Sequence, residues 1–159
     1  MKNKIVIISS WILVFITMVM IFNFSSESSD ESSKTSADVV EQVLGIFMEK
    51  EEITPPVVKK YQFPIRKAAH FGIYMLLGFC LMNAFDKSFR IKYYLNILIS
   101  IVSSILYAIS DELHQSLSLD RGPNITDVLI DSAGAFFGVL LFAGLFLLYK
   151  MILIRKLKK

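Results

Sequence analysis

The chain has 159 residues, 54% of them apolar and only 19% charged, with a formal net charge of +3 at neutral pH. The apolar residues come in long, nearly uncharged blocks rather than spread as in a soluble core, and the absence of period-two alternation excludes a membrane β-barrel. The positive excess sits mostly in a basic tail beside an apolar block, which suits anionic lipid headgroups and gives a nucleic-acid partner no support.

Four apolar blocks lie at residues 5–24, 68–85, 94–109 and 128–149, the last broken only by Asp131. A helix needs about 20 apolar residues to cross a hydrocarbon layer of ~30 Å. The expected fold is therefore all-α: a polytopic membrane helix bundle with four transmembrane spans. The first block starts with Lys2 and Lys4, as a signal peptide does. Its apolar stretch is too long for one, and no small-x-small cleavage site follows, so it reads as an uncleaved span covering 1–24.

Residues 25–62 join the first span to the second. The Ser/Asp/Glu run 25–36 has too little apolar surface to fold and reads as a flexible tether. Residues 37–50 then carry Val40, Val43, Leu44, Phe47 and Met48 at helical spacing, a short amphipathic extracytoplasmic helix on the membrane or on the bundle. Thr35 with Asp38 offers it a start resembling a capping box. Pro55-Pro56 is expected to end it, and Phe63-Pro64 to open the second span with proline near the first helical position. Cys80, in the middle of that span, is the only cysteine, so no internal disulfide exists and a small core residue is its expected role.

Orientation follows from Lys and Arg near the span ends. One side collects Lys2, Lys4, Lys87, Arg90, Lys92 and the tail 150–159 with Lys150, Arg155, Lys156, Lys158 and Lys159. Both termini are thus expected in the cytoplasm, with loops 25–65 and 116–124 outside. Arg66-Lys67 breaks the pattern by sitting at the outer end of the second span. Such a pair either snorkels or is held there to meet negative charge.

Ionisable groups at membrane depth cost roughly 2.5–3.5 kcal/mol each by insertion scales, so clusters of them demand partners or a function. Arg66, His70 and Tyr74 are spaced by four and share a helix face. On the third span Tyr107, Asp111, His114 and Gln115 fall in one stripe, with Glu112 about 100° round. On the fourth, Asp127, Asp131, Gly134 and Gly138 align, and Gly134-xxx-Gly138 invites close approach of another backbone. The first span contributes nothing comparable. A three-helix polar pocket, built by spans two to four and opening outward, is the expectation.

Local accounts explain part of this set. Asp127, three residues after Asn124, suits a helix start. Asp131 lies a turn deeper and needs another partner. Asp111 and Glu112 sit where the helix dipole disfavours acids, so a purely local explanation is poor, though ion pairs with Arg66, Lys67 or Arg121 would suffice. His114 could simply cap its helix, and Asn23, Asn83 and Ser103-Ser104 read as ordinary helix contacts. No tight ligand spacing such as HExxH marks a metal site, and no cofactor is implied. A proton relay lacks a matching path through the cytoplasmic half. Anion binding fits better, because the second and fourth spans start outside near Arg66, Lys67 and Arg121, where a lipid phosphate or pyrophosphate could dock.

Three blocks in fixed order carry a resemblance: Arg66-Lys67-Ala-Ala-His70-Phe71-Gly72-x-Tyr74-x-x-Leu77-Gly78, then Tyr107-Ala108-x-x-Asp111-Glu112-x-His114-Gln115, then Arg121 and Asp127-x-x-x-Asp131-x-x-Gly134-x-x-x-Gly138. Together they resemble the VanZ-like family of bacterial membrane proteins over about residues 63–148. Phe24-Ser25-Ser26 also fits the family's usual start, whereas the loop Leu117-Ser118-Leu119-Asp120-Arg121 departs from it. The resemblance implies a small helix bundle associated with resistance to glycopeptide antibiotics, teicoplanin in particular, and brings no catalytic residues. The expected partners are membrane lipids, with a lipid-linked cell-wall precursor or a lipoglycopeptide at the pocket. A lipid-headgroup hydrolase or transferase and a small transporter or regulatory partner of cell-wall enzymes are the alternatives. The oligomeric state is open.

Overall fold

The computed structural model describes residues 3–26, 29–116 and 124–157. Among these the chain forms only helices: α1 (Lys4–Ser25), α2 (Ser29–Leu44), a 3-10 turn (Lys50–Glu52), α3 (Pro55–Ser88), α4 (Tyr93–Ser116) and α5 (Ile125–Leu157). α1, α3, α4 and α5 are each long and apolar enough to cross a membrane. The all-α, four-span architecture expected from the apolar blocks is the one observed.

The bundle is apolar outside and partly polar inside. Phe15, Leu106, Leu129 and Leu148 are exposed, as suits helices surrounded by hydrocarbon. Buried on α4 are Asn96, Ser100, Ser104, Ala108, Asp111, Glu112 and Gln115, a repeat close to four that turns the polar, small side of the helix inward. α1 buries Ser10, Val14, Thr17, Ile21 and Ser25 in a similar stripe. Most of these hydroxyls donate to carbonyls one turn back: Ser10 to Val6 at 2.8 Å, Thr17 to Leu13 at 2.9 Å and Ser104 to Ser100 at 2.8 Å. Satisfied locally, they pack as small residues and let helices approach.

α3 is the centre of the bundle and touches every other helix, α5 most extensively. Glycine is the reason. A Cβ on Gly78 would collide with the backbone of Ala135, one on Gly134 with the Phe71 carbonyl, and one on Gly138 with the Met75 carbonyl. The close approach expected of Gly134-xxx-Gly138 is thus made to α3, which answers with Gly78. The core beside this contact includes Tyr74, Leu77, Leu81, Ala108 and Ala135, together with the free thiol of Cys80. Asn83 donates to Ser10 Oγ at 3.1 Å, an ordinary interhelix contact. At the end nearer the termini, Trp11 Nε1 donates to Ser88 Oγ at 2.9 Å and its ring meets Phe85 edge-on.

The segment between α1 and α3 departs from expectation in three ways. The run expected to be a tether is largely helical, because α2 already begins at Ser29. Contacts with α3 supply the stability that its composition lacks: Val40 and Leu44 are buried against Val58, and Gln62 Nε2 donates to the Ser33 carbonyl at 2.6 Å. α2 stops at Leu44 rather than Lys50, and it lies on the bundle. Pro55-Pro56 then does not end a helix but starts one, occupying the first turn of α3, where proline's missing N–H is harmless. Pro64 accordingly sits inside α3, where the Lys60 carbonyl loses its usual donor. At 34 residues and 1.5 Å per residue, α3 is about 50 Å long. Its first turns therefore project beyond a ~30 Å hydrocarbon layer and carry α2.

Candidate functional site

The end of the bundle opposite both termini is where α1 and α4 finish, α5 begins and the middle of α3 passes. Polar side chains from all four helices meet there. Tyr74, fully buried on α3, donates its hydroxyl to Asp111 Oδ2 of α4 at 3.0 Å. Gln115, one turn beyond Asp111, donates to Ser25 Oγ of α1 at 3.0 Å and to Asp111 Oδ2 at 3.4 Å. Tyr107, one turn before, donates to the Met18 carbonyl of α1 at 2.8 Å. His114 lies against Phe22 of α1 with ring centroids 4.6 Å apart and the planes tilted by 33°. The α4 stripe thus faces α1 and α3, and the expectation that α1 contributes nothing is overturned. Ser25 is an acceptor in the network, and Phe22 and Met18 complete the wall. A serine at the end of an apolar block carries no visible mark, so only the family's usual Phe-Ser-Ser start hinted at it.

α5 supplies the other half. Asn124 caps it, accepting from Thr126 N at 3.0 Å, and its side-chain amide donates to Asp127 Oδ1 at 3.2 Å. Asp127 also forms an ion pair with Lys67 of α3. The helix-start role expected of Asp127 therefore coexists with a pair to the base that seemed out of place. Glu112 accepts from the Asn124 backbone N–H. One turn deeper, Asp131 Oδ1 lies 3.5 Å from His70 Nδ1. That oxygen is buried and accepts no hydrogen bond among the described residues. A buried acceptor left open carries a penalty that an N–H turned toward it would relieve.

Ion pairs with Arg66, Lys67 or Arg121 would have sufficed for Asp111 and Glu112, yet among the described residues neither forms one. A tyrosine hydroxyl and a glutamine amide serve Asp111, and a main-chain N–H serves Glu112. Hydrogen bonds to a carboxylate are stronger than neutral ones, which makes this arrangement workable. Arg121 lies outside the described residues, as does most of the loop it belongs to. Asp111 and His114 have different neighbours, and among the described residues no group of three His, Cys, Asp or Glu side chains is placed to hold a metal ion.

Hydrogen bonds and ion pairs join α3 to α4 and α5 beside the loop that lies outside the described residues. A cavity of about 190 Å3 lies between α1, α2 and α3. Its walls are mostly apolar, with Ile21, Phe24, Val39, Ile65 and Ile73 among them. Ser25, Arg66, His70 and Tyr74 also line it. The Arg66, His70 and Tyr74 face read from the sequence is therefore real, and it looks two ways. His70 and Tyr74 meet the carboxylates of α5 and α4 on one side and the cavity on the other.

A sequence model of the VanZ/LLP1 family matches residues 10–149. The match takes in α1 and α2 as well as the three-span block that carries the motifs. No curated protein and no solved structure matches the chain.

Proposed function

The chain belongs to the VanZ/LLP1 family, and from that membership together with the polar end of the bundle we propose that it is a bacterial envelope protein that lowers the action of teicoplanin-type lipoglycopeptides. In this reading both termini are cytoplasmic and the polar end stands at the outer leaflet. Charge supports that orientation: Lys4, Lys87, Arg90, Lys92, Lys150, Arg155 and Lys156 all lie toward the other end. The protein acts without chemistry of its own, by engaging a lipid-linked wall precursor where such antibiotics bind.

One observation carries the reading. Asp111 and Asp131 are only 5% and 3% exposed, at membrane depth, next to the two side chains that border a cavity. A bundle that needed only stability would place apolar residues there, since buried ionic groups are weak contributors to it. A second reading has its own support. The approach of buried Asp131 to His70, itself on the cavity, is how a carboxylate orients an imidazole for acid–base work on a lipid headgroup.

A susceptibility panel with and without the chain separates these. Protection against teicoplanin that exceeds protection against vancomycin is expected. Equal or absent protection removes the resistance role. A reporter fused at position 120 should be active only outside the cytoplasm, and cytoplasmic activity there removes the orientation.

A further inference from the structure

The cavity between α1, α2 and α3 is lined by one cation that the polar network does not use. Arg66 has no ion pair among the described residues, whereas its neighbour Lys67 is taken by Asp127. An arginine beside a largely apolar space, with no carboxylate on it among the described residues, is matched by a ligand that carries its own negative charge. The fork of the guanidinium suits phosphate oxygens in particular.

The surroundings set its depth. Phe63 and Tyr61, within five residues on α3, are exposed, and Lys67 Nζ lies 5.3 Å from the Phe63 ring centroid. Aromatic and basic residues mixed in this way mark the headgroup level of a membrane. Toward the hydrocarbon the cavity continues past His70 to Ile73 and Tyr74, and its other walls include Ile21 and Phe24 of α1 and Val39 of α2, with the hydroxyls of Thr35 and Ser36. Apolar-walled spaces of ~150 Å3 stay dry and take up hydrocarbon, so one of this size has room for the start of an alkyl chain. His70 turns Nδ1 toward Asp131, which leaves Nε2 to accept from the P–OH of a phosphate monoanion.

We propose that this cavity binds a phosphate-bearing amphiphile, with the phosphate on Arg66 and His70 and the first part of its chain against Ile21, Val39 and Ile73. The site deepens the reading above, since a lipid-linked precursor is one such amphiphile. It needs neither the orientation nor a resistance phenotype.

Native mass spectrometry of the full chain, released from a neutral detergent and titrated with dodecyl phosphate, tests it. One saturable equivalent is expected. Dodecanol should bind about tenfold more weakly or worse, and inorganic phosphate should not displace the amphiphile. Arg66→Gln should weaken binding by about tenfold or more, with Arg66→Lys keeping most of it. Val39→Trp, on α2 rather than on a span, should block the space and abolish binding while Arg66 stays. Absence of saturable binding, an unchanged Arg66→Gln, or equal competition by inorganic phosphate overturns the proposal. If binding fails while teicoplanin protection persists, the amphiphile site falls and the resistance reading stands. Binding without protection has the reverse meaning.

Discussion

Gly138→Ala is the sharpest single perturbation of the fold. The added Cβ would stand 2.8 Å from the Met75 carbonyl carbon and 2.9 Å from Phe79 N, both backbone atoms of α3. Backbone cannot rotate away as a side chain does, so α3 and α5 must move apart. Overpacking costs typically about 1–3 kcal/mol, and a rigid neighbour puts this site at the upper end. Alanine returns about 1 kcal/mol through its better helix propensity. The net loss is therefore about 2 kcal/mol, or roughly 4–8 °C in the unfolding midpoint for a chain of this size. Gly144→Ala is the internal control, because a Cβ there meets nothing within 4 Å. It should be neutral or slightly stabilising. Thermal unfolding of both variants in detergent, followed by helical circular dichroism, measures the difference. The same separation of α3 from α5 draws Asp131 from His70, so Gly138→Ala should also lose the site. If Gly138→Ala is as stable as Gly144→Ala, the account of the α3–α5 contact is wrong.

Tyr74→Phe removes the donor to Asp111 at 3.0 Å and should destabilise by about 1–3 kcal/mol. Combined with Asp111→Asn it should cost less than the sum of the singles, and strict additivity in that double-mutant cycle would falsify the pairing. Ser25→Ala takes one acceptor from Gln115, for about 1 kcal/mol. Faster amide exchange over residues 22–26 is expected, and unchanged exchange would show that α1 is not held by this bond. Pro64→Ala restores a donor for the Lys60 carbonyl and should stabilise α3 by up to about 3 kcal/mol. A lower unfolding midpoint would mean that the chain needs a break at 64.

The four spans were legible because each is a long apolar run, and length alone decides that question in a membrane. The α3–α5 contact was legible for a different reason: Gly134 and Gly138 are four apart, and few roles besides close packing suit them. The start of α3 was not. Pro55-Pro56 and Phe63-Pro64 offer two equally good helix starts, and only α2 packing Val40 and Leu44 on Val58 makes the earlier one hold. The same tertiary contact turned an apparent tether into helix, which local composition could not foretell. In the site, charge was visible and its partners were not. Lys67 with Asp127 follows from opposite signs at one depth. Tyr74 with Asp111 and Gln115 with Ser25 pair a neutral donor with an acceptor on another helix, and no sequence spacing encodes which helices are neighbours. The Arg66, His70 and Tyr74 face could be drawn on a helical wheel, but the cavity beside it needed α2 in place.

The central claim is that the buried carboxylates serve a function beyond holding the bundle together. Asp131→Asn tests it most directly, because asparagine keeps the shape while replacing the carboxylate beside His70 with a neutral amide. Teicoplanin protection should be measured in cells together with the amount of protein in the membrane. Full abundance with protection lost is the outcome this account predicts. Full abundance with protection retained would contradict it, and loss of the protein itself would show that Asp131 is structural.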